Sequence, residues 1–436
     1  RIDDVTPKIV VAASCSFQGR TVVPAQATLD EALAGAAHVP AGCVIVQREA
    51  CPMRMTAGRD HDFHVLERYP PVAPVPVRAE DPLYILHTSG TTGAPKGIVR
   101  DNGGHAVALS LSMELIYGCG PGDCFFTTSD LGWVVGHSYG VYAPLLGGGT
   151  SVIVEGCPSA SVIGRLCAAH DVKCLFTTPT QLRVMRQGGA DFSGRALSAL
   201  KRVFVAGEYA DPTLLDWARG CFERPVVNHW WQTETGWSIT AHFFGLPEAE
   251  PATILNDIGR PAPGFSPVVR PAVAGETSGE ILLALPLPPG CLAGIWKTGA
   301  LRPPTAYLAE GGGCYRTFDE GVITDDQAVH MLGRSDDVIK VAGRRVSGVQ
   351  IEKIIAGHEK VHACAVVAVS DGLRGQRPVA YVVPASWPAR PGWAAEIAER
   401  VACGLGRWVG LKEVLFVRQL PTTVSGKIMR RTLATA

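Results

Sequence analysis

The sequence predicts a large layered α/β lobe followed by a small, mobile α+β unit. Three observations predict it. Strand-like and helical runs alternate through most of the first 330 residues, the texture changes beyond residue 335, and 436 residues exceed one ordinary core.

The elements follow in order. Ile9 to Ala13 and CVIVQ (43–47) open the chain as strands, and Tyr84 to Leu86 is another β-favouring run. TSVIVEG (150–156), VKCLFTT (172–178), KRVFVAG (201–207) and RPVVNHW (224–230) are short, β-branched and closed by turn residues. Helical candidates at 103–117 and 211–222 lie between strands, so largely parallel sheets are expected. Pro- and Gly-rich pieces at 68–82, 261–275 and 286–291 read as connections. Further on, Ile351, Ile354 and Ile355 recur at i, i+3, i+4 on one helical face. Strands at 363–369 and 378–383, a helix near 393–404, a strand at 413–417 and a short basic helix complete a compact unit. The expected division is therefore 1–335 and 336–436, with the first domain truncated at its amino-terminal side, because the chain enters a strand almost at once and without a Met.

Forty basic residues balance 40 acidic ones, so no overall field draws the chain to nucleic acid or a membrane surface. Thirteen scattered cysteines, without a C-x-x-C pair, argue against a disulfide framework or zinc knuckle and for reduced thiols in an intracellular compartment. The sequence carries no apolar run of membrane-spanning length and no signal peptide.

Five stretches carry chemistry. YILHTSGTTGAPKGIVR (84–100) concentrates hydroxyls, bare backbone and one ammonium behind a strand, which suits a phosphate chain. It is no Walker loop, because the residue five after Gly90 is Pro95 and Lys96 precedes Gly97. NHWWQTETG (228–236) follows a strand, at the carboxyl end where α/β sheets place ligands, and Glu234 beside a polyphosphate calls for a cation such as Mg²⁺. Two adjacent tryptophans cannot bury on one face of an extended segment, so one is free to stack while the other walls a cavity. In YRTFDEG, Asp319 follows a strand-like Tyr-Arg-Thr, and a lone carboxylate accepts from two ribose hydroxyls. GRSDDVIKVAGRRVS (333–347) suits an exposed hinge, and PTTVSGK ends on Lys427 at the rim of a tight loop. A competing motif, GHSYG (136–140), matches the G-x-S-x-G nucleophile elbow with Ser138, and Asp325 and His330 downstream would be its partners. The segment SDLGW before it and Pro144 after it spoil the strand–turn–helix an elbow needs.

In this order and spacing, TSGTTGAPKG, GRSDDVIKVAGRR and PTTVSGK resemble the adenylate-forming superfamily of acyl-CoA synthetases, adenylation domains and luciferases, over essentially the whole chain. DLGWVVGHSYGVYAPLLGGGTSVIVEG and HWWQTETG narrow the resemblance to short-chain synthetases, and YRTFDEG with Val134-Val135 leans to the propionyl-CoA branch, the short-chain family member 3 type. The resemblance implies acyl-adenylate formation from ATP and a carboxylate, then transfer to CoA with release of AMP and pyrophosphate. Thr88, Ser89, Gly90, Thr91, Thr92 and Gly93 would wrap the phosphates, assisted by Lys96. Gly207, Glu208 and Tyr209 would line the adenine pocket, and Asn228, His229, Trp230, Trp231, Gln232 and Thr233 would complete the nucleotide site. Glu234 would hold Mg²⁺, and Asp319 the ribose, with Arg334 and Arg345 nearby. Val134, Val135 and Trp231 would form the acyl pocket, Gly343 and Arg345 would approach CoA, and Asp336 would be the hinge. Lys427 would be the catalytic lysine and a target for an acyltransferase and deacylase. Two departures stand out: Phe318 occupies a position usually held by glycine, and Tyr209 one commonly held by proline. The alternatives are an acetyl-CoA synthetase proper, or an inactive chain that binds only nucleotide or a partner. The compartment would be cytoplasm or mitochondrial matrix.

Overall fold

The computed structural model describes residues 1–19, 21–88, 96–156, 158–192, 197–208, 210, 212–246, 258–271, 275–297, 299–422 and 428–434. The centre of the large lobe is a five-stranded parallel sheet. Its order is Val226–Asn228, Arg202–Val205, Val172–Thr177, Cys124–Thr127 and Thr150–Val152. These strands read as near-continuous apolar runs because both faces are covered, as parallel sheets require. The crossover helices start on side-chain caps: Ser159 accepts from Val162 N–H before Ala160–Ala169, and Thr178 from Gln181 N–H before Pro179–Gln187. Pro179 fits at the first turn, where its missing N–H costs nothing.

The expectation of largely parallel sheets holds here and in a small sheet of Ile9–Ala13, Gly42–Val46 and Asp60–Asp62, but not elsewhere. Two four-stranded sheets are antiparallel. One contains Pro82–Thr88, Lys96–Asp101, Gly294–Lys297 and Ala300–Arg302; the other contains Pro267–Pro271, Ser278–Ala284, Cys314–Ile323 and Val329–Arg334. Several of their strands follow one another across short turns, which permit only antiparallel pairing. Part of the expected 261–275 connection is thus a strand, and its prolines sit at the ends of an edge strand, where a missing N–H is tolerated.

The carboxyl-terminal unit has its own sheet and core. Val338–Val341 and Arg344–Ser347 form a hairpin beside the long pair Val361–Asp371 and Gly375–Pro384, and Glu413–Phe416 joins in parallel. Helix Gly348–Ala356 starts on a capping box of Ser347 and Gln350, and buries Ile351 and Ile355 completely. The terminal helix Arg430–Ala434 is held by Tyr381, whose hydroxyl donates to the Leu433 carbonyl at 2.9 Å, and by an Arg430–Glu352 ion pair at 2.8 Å. The chain is therefore an α/β protein with a large amino-terminal domain and a small carboxyl-terminal one. Among the described residues no helix is long and apolar enough to cross a membrane.

Candidate active site

The parallel sheet ends at Val205 and Asn228, and the chain leaves these carboxyl ends into Gly207-Glu208 and the 229–236 segment. Opposite lies Asp319. It sits within strand Cys314–Ile323 rather than after it, at a bulge where the register against Ile281 and Leu282 slips. A bulge bends its strand and re-aims a side chain. The turn is made by Phe318, whose φ of 57° is left-handed, a conformation that glycine takes without cost and phenylalanine does not. The departure noted at this position thus has a conformational meaning. The Phe318 ring is held by Arg316, 4.5 Å from its centroid, and by an edge contact to Tyr307.

Asp319 is buried and fully occupied on one oxygen. Its Oδ2 accepts from Trp230 Nε1 at 3.0 Å and Gln232 Nε2 at 2.6 Å, while Oδ1 accepts from Arg334 Nη1 at 3.2 Å. Gln232 also donates to the Thr317 carbonyl at 2.6 Å and accepts from the Tyr315 hydroxyl at 3.1 Å. Burial raises the Asp319 carboxyl's pKa; Arg334, Gln232 and Trp230 pull it back. A carboxylate has about four acceptor positions, so one is left on Oδ1. The second ribose hydroxyl expected from the sequence would have to displace a donor.

Both tryptophans are buried, on different sides of the chain. Trp230 donates its in-plane Nε1–H to Asp319, a bond that fixes the orientation of the ring. Trp231 meets the Tyr139 ring edge-on at 5.5 Å and shares one apolar cluster with Val134 and Val135. His229 faces inward, against expectation. Nδ1 is 3.0 Å from the Val205 carbonyl and Nε2 is 3.0 Å from the Tyr117 hydroxyl, which leaves neither nitrogen for a ligand. Burial drives its pKa down to about 4, so it is neutral. Glu208 accepts from Thr180 Oγ1 at 2.7 Å and Arg183 Nη1 at 3.3 Å, beside Gly207 with a φ of 97°. Asn228 and Thr233 are half-buried at the start and in the turn of the 228–236 segment. Ser138 is buried within a helical run, following helix Val134–His137, so there is no nucleophile elbow.

The other end of the site is Glu234. Its Oε1 accepts from the Tyr307 hydroxyl at 2.6 Å, and Lys96 Nζ lies 5.0 Å from the Tyr307 ring centroid. Thr88 pairs with Lys96 at the mouth of the hairpin whose connection is the Ser/Thr/Gly segment. No group of three or more metal-ligating side chains occurs among the described residues. One carboxylate with an uncommitted oxygen fits an ion such as Mg²⁺ that takes most of its ligands from phosphate and water. Asp336 lies in the short turn Ser335–Asp337, and Gly343 has a φ of 80° between the strands of the small hairpin. Ser89 to Pro95, Tyr209 and Lys427 lie outside the described residues, as do the side chains of Asp336 and Arg345.

Three residues of the site were not anticipated from the sequence. Tyr307 and Tyr315 stack with planes 1° apart and hold Glu234 and Gln232 respectively. Arg100 is entirely buried and donates to the carbonyls of Thr233, Glu234 and Gly290. A lone arginine inside the apolar run of KGIVRD was the available signal.

Residues 1–288 match the AMP-binding enzyme family and residues 350–427 match the AMP-binding enzyme C-terminal domain, so the chain belongs to the AMP-binding enzymes, the adenylate-forming superfamily. Within that class it is similar to short-chain synthetases. It is 40 % identical to a mitochondrial acyl-CoA synthetase short-chain family member 3 from Rattus norvegicus, over 100 % of this chain and 65 % of that one. It is 38 % identical to a propionate–CoA ligase from Escherichia coli, over 99 % of this chain and 72 % of the relative. The chain thus spans about two thirds of the length of such relatives. In fold, it matches the acetoacetyl-CoA synthetase from Streptomyces lividans with a TM-score of 0.83 at 21 % identity, covering 98 % of this chain and 66 % of the other.

Proposed function

We propose that this chain is an ATP-dependent, AMP-forming short-chain acyl-CoA synthetase that activates propionate, with acetate as the alternative acid. The observation that carries the reading is the continuous floor from Asp319 through Trp230 and Gln232 to the turn bearing Glu234. It joins a buried carboxylate suited to ribose to an open carboxylate suited to a phosphate-bound cation. Thr88 pairs with Lys96, and Lys96 Nζ lies over the ring of Tyr307, the donor to Glu234, which supports a phosphate role for the Ser/Thr/Gly segment between the two strands.

On this reading the carboxylate of the acid attacks the α-phosphate of ATP and pyrophosphate leaves; the CoA thiol then displaces AMP. Bound Mg²⁺ supplies charge neutralisation for the phosphates. Thr88 to Gly93 hold the departing pyrophosphate with hydroxyls and N–H groups, Gly207 to Tyr209 border adenine, and Asn228 and Thr233 close the nucleotide site. Trp231, with Val134 and Val135, closes an apolar pocket for a short acyl chain. One methylene is worth only about 1–3 kcal/mol in such a pocket, so propionate and acetate are separated weakly. The division at 335/336 makes 336–436 a mobile domain that turns about Asp336, withdrawing Lys427 after the first step and bringing Gly343 and Arg345 towards CoA.

Lys427 places an ammonium where two anions meet. Pyrophosphate release with propionate, ATP and Mg²⁺ is the first test of the whole reading. Lys427→Ala is expected to lower that first step about 10²–10³-fold and to leave thioester formation from supplied propionyl-adenylate intact. Equal loss of both steps removes the role. Acylation of Lys427 cancels its charge, so an acyltransferase and deacylase pair would switch the enzyme in cytoplasm or mitochondrial matrix. The second reading, nucleotide or partner binding without turnover, is favoured by the outer face of the first strand, where Ile9 and Val11 are 46 % and 65 % exposed. Absence of pyrophosphate release with retained nucleotide binding would select it.

A further inference from the structure

Arg100 joins the phosphate-side hairpin to the turn bearing Glu234. It lies on strand Lys96–Asp101, five residues from the Ser/Thr/Gly segment, and its partners are 133 to 190 residues away in sequence. Nη1 donates to the Gly290 carbonyl at 2.6 Å and the Glu234 carbonyl at 3.1 Å, and Nη2 donates to the Thr233 carbonyl. The Leu292 N–H also donates to the Glu234 carbonyl, at 2.8 Å, so the main chain of Glu234 is fixed by two donors. The fit is tight: Gly236 has a φ of 76°, and a Cβ there would lie 2.6 Å from the Arg100 guanidinium carbon. A buried guanidinium is usually matched to a carboxylate. Here the guanidinium bonds go to neutral carbonyls instead, and Nε has no partner among the described residues. Among the described residues no anion is bonded to this positive charge, which lies beneath the end of the site that faces the phosphates.

We propose that Arg100 is a positioning residue for the phosphate end of the site: its planar fork locks the Thr233–Glu234 backbone, so that the Glu234 carboxylate is aimed, and its charge sets a local field for a divalent cation–polyphosphate complex. This rests on the adenylate-forming reading above. A lysine could supply the charge but not the fork, because its ammonium cannot span carbonyls held in one plane. The nearby His105 imidazole, buried and lowered to about 3 by burial, Arg100 and His137, adds no second charge at neutral pH.

The test uses the full chain with Arg100→Gln and Arg100→Lys. Two binding measurements are made without turnover: Mn²⁺ binding by electron paramagnetic resonance with a non-hydrolysable ATP analogue, and AMP binding by calorimetry. Arg100→Gln is expected to weaken Mn²⁺ binding about 10–100-fold, the usual range for a group that orients a metal ligand, with AMP affinity unchanged. Arg100→Lys should fall between Gln and wild type. Unchanged Mn²⁺ binding in either folded variant overturns the proposal, and so does an equal loss for AMP. Should Arg100→Gln fail to fold, Arg100→Lys decides alone by the same criterion. If wild type binds neither AMP nor the analogue, the parent reading fails; if wild type binds both and the variants match it, only the role of Arg100 fails.

Discussion

Around Asp319 the candidate site is made of side chains that bind one another, whereas around Glu234 it is made of main chain held from below. Asp319 has three donors and Gln232 a further two partners, all within the protein. Glu234 has one described side-chain donor, Tyr307, and its backbone is pinned by Arg100 and Leu292. The first end keeps a single acceptor position, on Asp319 Oδ1, and is preorganised in the strict sense that its other bonds already exist. The second keeps open valences and acquires its geometry from a buried cation. A ribose hydroxyl must therefore fit a nearly finished network, while a metal–phosphate complex finishes an unfinished one.

The most damaging way to break this contrast is Asp319→Ala. It removes an acceptor from Trp230, Gln232 and Arg334, of which the last two keep the Thr317 carbonyl, and removing one partner of a buried pair costs about 3–5 kcal/mol. Arg334 is 37 % exposed, so water recovers part of that and the lower end is expected. Denaturant unfolding and AMP titration should both register the loss. A variant with unchanged midpoint and AMP affinity would show that the Asp319 end is not preorganised.

Next comes acid. Each end rests on a buried neutral imidazole: His229 under the Asp319 side, with pKa lowered to about 4, and His105 beside Arg100, lowered to about 3. Burial is the main cause for both. The Val205 carbonyl opposes it at His229 and His242 reinforces it; Arg100 and His137 reinforce it at His105. A depressed folded pKa means that the unfolded chain binds the proton first. The stability from each is fully present above about pH 6.5 and falls as pH drops towards the folded value, by about 1.4 kcal/mol per unit per imidazole. For His229 the full loss is about 3 kcal/mol. Asp319 and Glu352, whose pKa values are raised by burial, act in the opposite sense. The urea midpoint should therefore drop between about pH 6.5 and 5, and His105→Phe should flatten that drop. A pH-independent midpoint in this range would contradict both burial assignments.

Much of the fold could be read from the sequence because it is local. The runs at 172–178 and 201–207 are β-branched and bounded by turns, and Val172–Thr177 and Arg202–Val205 form there. The helix expected at 103–117 is Asn102–Leu115, capped by the Asp101 side chain. What failed was non-local. The bulge that aims Asp319 is a register slip against Ile281 and Leu282, more than 30 residues earlier, so Asp319 read as following its strand rather than lying within it. His229 looked like a site residue because its neighbours are; its inward direction depends on Tyr117, 112 residues earlier. Arg100 was passed over because a charged residue in a strand usually marks a solvent face, and only partners more than 130 residues away make it a buried one.

The smallest change probes the open end most finely. Tyr307 is buried, stacks on Tyr315, carries Lys96 over its ring and donates to Glu234. Burial and the adjacent carboxylate raise its pKa, so it remains a protonated donor. Tyr307→Phe keeps the ring, the stack and the lysine contact and deletes a single hydrogen bond, worth about 1 kcal/mol net. If the hydroxyl orients Glu234, divalent-ion binding with an ATP analogue should weaken about threefold to tenfold, since 1.4 kcal/mol is tenfold, while AMP binding stays constant. A matching loss for AMP would mean that the two ends are one network, and the contrast between a finished and an unfinished half would no longer hold.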